Sequence, residues 1–147
     1  MFRNILCAVD GSQHGLRAAR TAAGLAAKLD ASLVFLTVTK HIEVNDAVRR
    51  YMQLEHLTGG PQYVLDEMTE QVLGEAQRTA IENGVHGARA VVRVGSPARA
   101  IAAFAKEIGA DLIVLGRRGL GDVGGALLGS VSHKVASLSD CTVMTVK

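Results

Sequence analysis

Glycines concentrate in one segment of the chain, which also contains two arginines. Six of the 16 glycines of this 147-residue sequence lie between Gly116 and Gly129. The segment begins where an apolar run ends and finishes at Ser130, where a helical pattern starts. Main-chain N–H groups without side-chain obstruction, next to a helix N-terminus, form a site for an anion. Arg117 and Arg118 add positive charge at the same place, so the sequence predicts a phosphate-binding loop.

Two common nucleotide motifs fit this segment poorly. Residues 119–124 match the dinucleotide fingerprint G-x-G-x-x-G, but that fingerprint directly follows a strand and opens a long helix. Here the match falls in the middle of the glycine-rich segment. A Walker A loop ends in Gly-Lys followed by Ser or Thr, whereas no lysine separates Gly129 from Ser130. The alternative that stays open is a surface loop without a ligand.

The histidines and cysteines show no spacing typical of a metal site or a disulfide framework. The five histidines are scattered along the chain, and the two cysteines are Cys7 and Cys141. Cys7 lies in an apolar run and is predicted to be a small buried side chain. A bridge between the two cysteines is not expected, because the predicted strands place them apart. The sequence therefore predicts neither a catalytic residue nor a metal ligand.

Strand and helix patterns alternate along the chain. Short apolar runs predict strands at residues 5–9, 33–38, 90–94, 112–115 and 142–146, and the first of them is predicted to be buried on both faces. Helical spacing predicts helices at 16–29, 64–83, 97–108 and 130–138. Residues 39–63 are polar and irregular, with Gly59-Gly60-Pro61 as a breaker, and predict a loop with a short helix. Ser96 is predicted as an N-cap and Gly109 as a left-handed helix stop.

This alternation predicts the α/β fold class: a single domain over residues 1–147 with a doubly wound, five-stranded parallel sheet. A flavodoxin-like strand order, 3-2-1-4-5, makes the first and fourth strands neighbours at the topological switch point. Ligands bind there in such sheets, and Asp10 and Gly116 would meet at that point.

Composition excludes several classes of protein. The net charge is +2 and aromatic residues make up 3%, so the chain lacks the charge and stacking platforms of a nucleic-acid-binding protein. Apolar stretches are interrupted by charge well before the roughly 20 residues that a membrane helix needs. A cytoplasmic protein, without nucleic-acid or membrane partners, is the simplest interpretation.

Spacing and flanking sequence together indicate a family. Gly116, Gly119, Gly129 and Ser130 follow the pattern G-2x-G-9x-G-S. This segment closely resembles the ATP-binding signature of universal stress proteins. The similarity spans nearly the whole chain and includes residues 5–12, 95–97, 110–116 and 127–132.

The resemblance implies a homodimer of flavodoxin-like, adenine nucleotide alpha hydrolase-like fold that binds ATP at the carboxyl ends of its strands. Asp10 would contact the ribose first and assist a divalent cation such as Mg²⁺ or Mn²⁺ second. The residues implied in nucleotide binding are Ala8, Asp10, Val38, Thr39, Gly116, Arg117, Arg118, Gly119, Gly129, Ser130, Val131 and Ser132.

The function implied is that of an ATP-binding regulatory protein of stress responses, whose nucleotide occupancy alters its contact with an unknown protein partner. The alternative is a slow ATPase or an autophosphorylating phosphotransferase at the same site. A flavin or nicotinamide protein on the same fold is a third possibility, by fold analogy alone. The last strand, 142–146, falls at an open sheet edge without proline or internal charge, and pairing with a second copy would cover it.

Overall fold

The architecture is a parallel sheet between helices, taken from a computed structural model that describes residues 1–41, 43, 45–56, 60–120 and 128–147. The strands are β1 (Asn4–Ala8), β2 (Ser32–Thr39), β3 (Arg89–Val94), β4 (Leu112–Gly116) and β5 (Thr142–Val146). The helices are α1 (Gln13–Leu29), α2 (Asp46–Leu54), α3 (Gly60–Glu82), α4 (Pro97–Glu107) and α5 (Ser130–Leu138).

The strand order is β3-β2-β1-β4-β5, and each of the four pairings is parallel. Both the predicted fold class and the predicted order are therefore confirmed. β1 lies at the centre, between β2 on one side and β4 on the other. The chain runs outward from β1 in two directions, and the carboxyl ends of β1 and β4 lie side by side.

The central strand explains why its sequence is continuously apolar. Ile5 and Cys7 pack into the core against α1 and α3, while Leu6 packs into the core on the side of α4 and α5. All three side chains are fully buried, because helices cover both faces of the sheet. Burial raises the pKa of the Cys7 thiol far above its ordinary value. Cys7 and Cys141 are both free cysteines.

Most helix ends follow the sequence signals. Gly109 follows α4 with a φ of +65°, as the predicted left-handed stop. Ser96 occupies the N-cap of α4, but its side chain makes no capping hydrogen bond. The predicted breaker is wrong at its last two residues, because α3 starts at Gly60 and contains Pro61 in its first turn. A proline is tolerated there, since the first-turn N–H has no helical partner to lose.

The segment between β2 and α3 contains the predicted short helix. None of the residues of α2 is buried. Across the described ranges, no helix is both long enough and apolar enough to cross a membrane.

Candidate functional site

A small cavity opens where the carboxyl ends of β1 and β4 meet. Its volume is about 130 Å³. The walls come from the ends of β1, β2 and β4, the first turns of α4 and α5, and the start of the glycine-rich segment. The apolar lining residues are Ala8, Val9, Leu36, Val38, Pro97, Ile101, Leu115 and Val131. The remaining described lining residues are Asp10, Gly116, Arg118, Gly119 and Ser132. We call this the switch-point cavity.

Val38 presents both its side chain and its main chain to this region. Val9 N–H donates to the carbonyl of Leu36 at 2.9 Å, and Gly95 N–H donates to the carbonyl of Thr39 at 2.9 Å. Since main-chain groups alternate between the two sides of a strand, those of Val38 face the β1 side. There they lie beyond Ala8, where β1 ends. A planar ring in the cavity could therefore meet an apolar side chain and a main-chain edge together.

Asp10 is held in place from two sides. The N–H and the hydroxyl of Ser12 both donate to its Oδ1, at 2.9 Å and 2.6 Å. The N–H of Leu120, in the glycine-rich segment, donates to its Oδ2 at 3.2 Å. Asp10 does not cap α1 itself: the hydroxyl oxygen of Ser12 accepts from Gly15 N–H at 3.1 Å. The carboxylate thus joins the end of β1 to a loop that is more than a hundred residues away in sequence.

Two glycines are required by packing next to this carboxylate. A Cβ at Gly15 would lie 2.8 Å from Oδ1 of Asp10. A Cβ at Gly116 would lie 2.8 Å from the carbonyl carbon of His14 and 2.9 Å from the nitrogen of Gly15. Gly116 therefore lets the end of β4 approach the first turn of α1, a reason for glycine that is independent of any phosphate.

The neck of the glycine-rich segment is closed by the main chain of Arg117. Gly129 N–H donates to the carbonyl of Arg117 at 2.7 Å, and the hydroxyl of Ser132 donates to the same carbonyl at 2.8 Å. Ser132 is 2% exposed, and its hydroxyl also contacts the carbonyl of Gly129 at 3.1 Å. Residues 121–127, with most of the fingerprint match at 119–124, lie outside the described residues.

α5 begins directly at this neck. Its N-cap is Gly129, which supplies no side-chain acceptor to the first-turn N–H groups. An anion at this end would therefore meet uncapped donors and the positive end of the helix dipole. The φ of Gly129 is −69°, a value open to any residue, so glycine at this position is not required by a left-handed conformation.

Eight of the twelve predicted site residues line the switch-point cavity, and four do not: Thr39, Arg117, Gly129 and Ser130. Thr39 lines a neighbouring cavity of about 370 Å³ between β2 and α3, which shares Asp10 and Val38 with the first. Among the described residues, Arg118 lines the switch-point cavity and Arg117 does not. Gly129 and Ser130 form the adjoining helix start.

Sequence reasoning missed three residues of the site: Ser12, which donates to Asp10, Gly15, which leaves room for the Asp10 carboxylate, and Ile101, which forms part of the wall. The pattern Asp-Gly-Ser-x-x-Gly was the signal for the first two. A larger groove of about 600 Å³ lies at the other end of the sheet, beside Lys106 and Cys141, and shares no lining residue with the switch-point cavity.

Comparison with known proteins identifies the family. A model of the universal stress protein family matches residues 1–147. The chain belongs to this family. The universal stress protein YxiE of Bacillus subtilis is 36% identical to it over 154 residues, covering 100% of both chains. The family predicted from the sequence is thus confirmed.

Solved universal stress proteins share the fold. One, crystallised in complex with cAMP, is 29% identical, with a TM-score of 0.73 over 99% of this chain and 97% of that chain. The universal stress protein UspA of Lactobacillus plantarum is 24% identical, with a TM-score of 0.75 over 99% of this chain and 97% of its own.

Proposed function

We propose that this universal stress protein binds ATP in the switch-point cavity and acts as a nucleotide-dependent regulatory protein. The observation that carries the proposal is the junction of two unlike surfaces. An apolar cavity of about 130 Å³ adjoins an uncapped helix N-terminus with Arg118 in the lining. A nucleotide matches both surfaces, because its base fits an apolar cavity and its phosphate chain fits a helix N-terminus. The relative solved with cAMP supports an adenine nucleotide as the ligand class.

The lining assigns a part of the nucleotide to each wall. The adenine ring would lie against Val38 and Ile101, where its burial is favourable by about 25 cal/mol per Å² of apolar surface. The phosphates would lie at the start of α5, where uncapped N–H groups and the helix dipole favour negative charge. Arg118 would supply the compensating side-chain charge.

Asp10 would bind the ribose. From the described residues, its Oδ1 accepts two hydrogen bonds, both from Ser12, whereas Oδ2 accepts one, from Leu120. A ribose hydroxyl would therefore donate to Oδ2, beside or in place of the Leu120 N–H. A divalent cation, Mg²⁺ or Mn²⁺, would be needed only if the phosphates approached this carboxylate.

Release of Leu120 gives the nucleotide a means of changing the protein surface. The Leu120 side chain is 69% exposed and lines the cavity shared with β2 and α3. When the ribose takes the place of its N–H at Asp10, this apolar side chain would shift. A protein partner that contacts it would then distinguish the bound from the free state.

The test is calorimetric titration with ATP of the parent protein and of two matched variants. Val38→Phe places a ring in the cavity, while Val92→Phe places one on the outer strand β3, where Val92 is 43% exposed. We expect micromolar binding by the parent and by Val92→Phe. Val38→Phe should lose at least about tenfold in affinity, or ~1.4 kcal/mol. Equal ATP affinity of a folded Val38→Phe variant would refute the location of the base.

We also propose that the protein forms a homodimer through β5. The carbonyl of Val146 accepts from Arg117 N–H, so the main-chain groups of Val146 and Met144 face β4. Those of Val143 and Thr145 consequently face outward, and in the described part of the chain β5 is the last strand on that side. Antiparallel pairing with a second β5 would satisfy these outward groups.

A pair of substitutions at one position tests this interface. Thr145→Pro removes an outward N–H that takes no part in the β4 ladder, whereas Thr145→Ala keeps it. Light scattering after gel filtration should show a dimer for the parent and for Thr145→Ala, and a monomer for Thr145→Pro. A monomeric parent, or a folded Thr145→Pro variant that stays dimeric, would place the interface elsewhere.

A further inference from the structure

One peptide unit connects the loop neck to the sheet edge. Arg117 N–H donates to the carbonyl of Val146, the last residue of β5, at 2.7 Å. The Arg117 carbonyl accepts from Gly129 N–H and from the Ser132 hydroxyl, at 2.7 Å and 2.8 Å. We call this set of contacts the Arg117 junction. It links the start of α5, where phosphates would bind, to the end of the strand that faces a second copy.

From this junction we infer that phosphate occupancy strengthens the pairing of β5 with a second copy of the chain. The inference rests on the proposed ATP site and concerns its regulation. It requires that the two sites share an element which both of them order, because a ligand alters association only if it favours the associated state.

Phosphate binding would order the junction from the α5 side. An anion held by the first-turn N–H groups of α5 fixes Gly129, whose own N–H donates to Arg117. The hydroxyl of Ser132, which is buried in the same turn, donates to the same Arg117 carbonyl. With both donors fixed, Arg117 keeps its N–H directed at Val146.

Strand pairing would order the same junction from the β5 side. The end of β5 must be extended before Thr145 can present its outward main-chain groups to the partner. Val146 follows directly, and its carbonyl is held by Arg117. If phosphate has already ordered this end, association with the second copy costs less conformational entropy. The coupling is therefore positive.

Charge does not oppose this coupling. Antiparallel pairing places the Val146 end of one β5 beside the Thr142 end of the other, so the two nucleotide sites lie at opposite ends of the paired strands. Five residues of strand span about 17 Å. That distance exceeds the screening length of about 8 Å at physiological ionic strength.

The experiment measures the dimer dissociation constant of the full chain by sedimentation velocity, alone, with saturating ATP and with saturating adenosine. Adenosine carries the base and the ribose but no phosphate. We expect ATP to lower the dimer dissociation constant at least about fivefold, and adenosine to leave it unchanged. Because each dimer binds two ATP molecules, reciprocity requires the calorimetric affinity of each site for ATP to rise by the square root of that factor, at least about twofold, when the protein is concentrated above its dimer constant.

A matched pair of serine variants tests the route. Ser132→Ala removes the side-chain donor at the junction, while Ser137→Ala removes a hydroxyl on the exposed part of the same helix that donates to the carbonyl of His133. We expect the ATP effect to disappear in Ser132→Ala and to persist in Ser137→Ala. An ATP effect of full size in Ser132→Ala would overturn the assigned route.

The outcomes separate the two proposals. ATP binding without any change in the dimer constant would overturn the coupling and leave the proposed nucleotide site intact. A protein that binds ATP but stays monomeric at every concentration would have the same consequence. An equal effect of adenosine would also overturn the coupling through phosphate. Absence of ATP binding by calorimetry would overturn the proposed function itself. The comparison of ATP with adenosine uses the unmodified chain and does not depend on the folding of any variant.

Discussion

Substitution of Gly116 by alanine should destabilise the protein, although replacing glycine by alanine usually stabilises the folded state. The new Cβ would lie 2.8 Å from two carbon atoms of His14, one of them in the main chain. An ordinary contact of 3.4 Å would need the first turn of α1 to withdraw by about 0.6 Å. This turn cannot move alone, because Ser12 binds Asp10 and caps the same turn.

The expected magnitude follows from two opposing effects. Forcing a methyl group into a closely packed site costs about 1–3 kcal/mol. Alanine has less conformational freedom than glycine in the unfolded chain, which by itself raises the free energy of unfolding by about 0.4–1 kcal/mol. We therefore expect Gly116→Ala to lower the free energy of unfolding by about 1–2 kcal/mol, and to weaken ATP binding because Asp10 shifts with the turn.

Gly24 provides the control. It lies inside α1, and a Cβ there would meet nothing within 4 Å. Gly24→Ala should raise the free energy of unfolding by about 0.5–1 kcal/mol. Urea denaturation followed by circular dichroism measures both variants. If Gly116→Ala is as stable as the parent while Gly24→Ala behaves as expected, the close approach of β4 to α1 is not as described and the packing argument fails.

Three further predictions concern the pH dependence of stability, the reactivity of the thiols and the chemistry of the site. Burial in the folded state raises the pKa of Cys7 above its ordinary 9.0. Because the unfolded chain then loses this proton first, the free energy of unfolding should fall as the pH rises above about 9. Cys7→Ala should reduce this dependence of the free energy of unfolding on pH. In the native protein a disulfide reagent should label the partly buried Cys141 alone, and Cys7 only in urea; labelling of both at equal rates would contradict the burial. Steady-state phosphate release from ATP with Mg²⁺ should stay far below the enzyme median of about 10 per second, because both carboxylate oxygens of Asp10 already accept hydrogen bonds, from Ser12 and from Leu120. Turnover near that median would favour the ATPase alternative.

Much of the fold could be predicted from the sequence because a parallel sheet buries both of its faces. The runs around Ile5 and Leu112 are continuously apolar for this reason, and their lengths and the helical spacing between them determine strand number and alternation. The glycine spacing from Gly116 to Gly129, together with the flanking sequence, predicted the family. The candidate site was predicted at the switch point because β1 and β4 must be neighbours in that strand order.

The start of α3 and the reason for Gly116 could not be predicted in this way. Pro61 follows two glycines, a pattern typical of a turn, but a first-turn proline loses no helical hydrogen bond, and α3 includes it. The spacing predicted Gly116 as part of a phosphate motif, yet its missing side chain makes room for His14, which is distant in sequence.

Sequence by itself thus determined which elements form, their order and the residues at their carboxyl ends, since these depend on local spacing and on burial. Only the tertiary structure decided what those residues contact. Asp10 accepts from Leu120, and Arg117 joins Gly129 to Val146. The physical reason is that a hydrogen bond depends on the position and direction of both partners. For residues this far apart along the chain, packing of the whole sheet sets both.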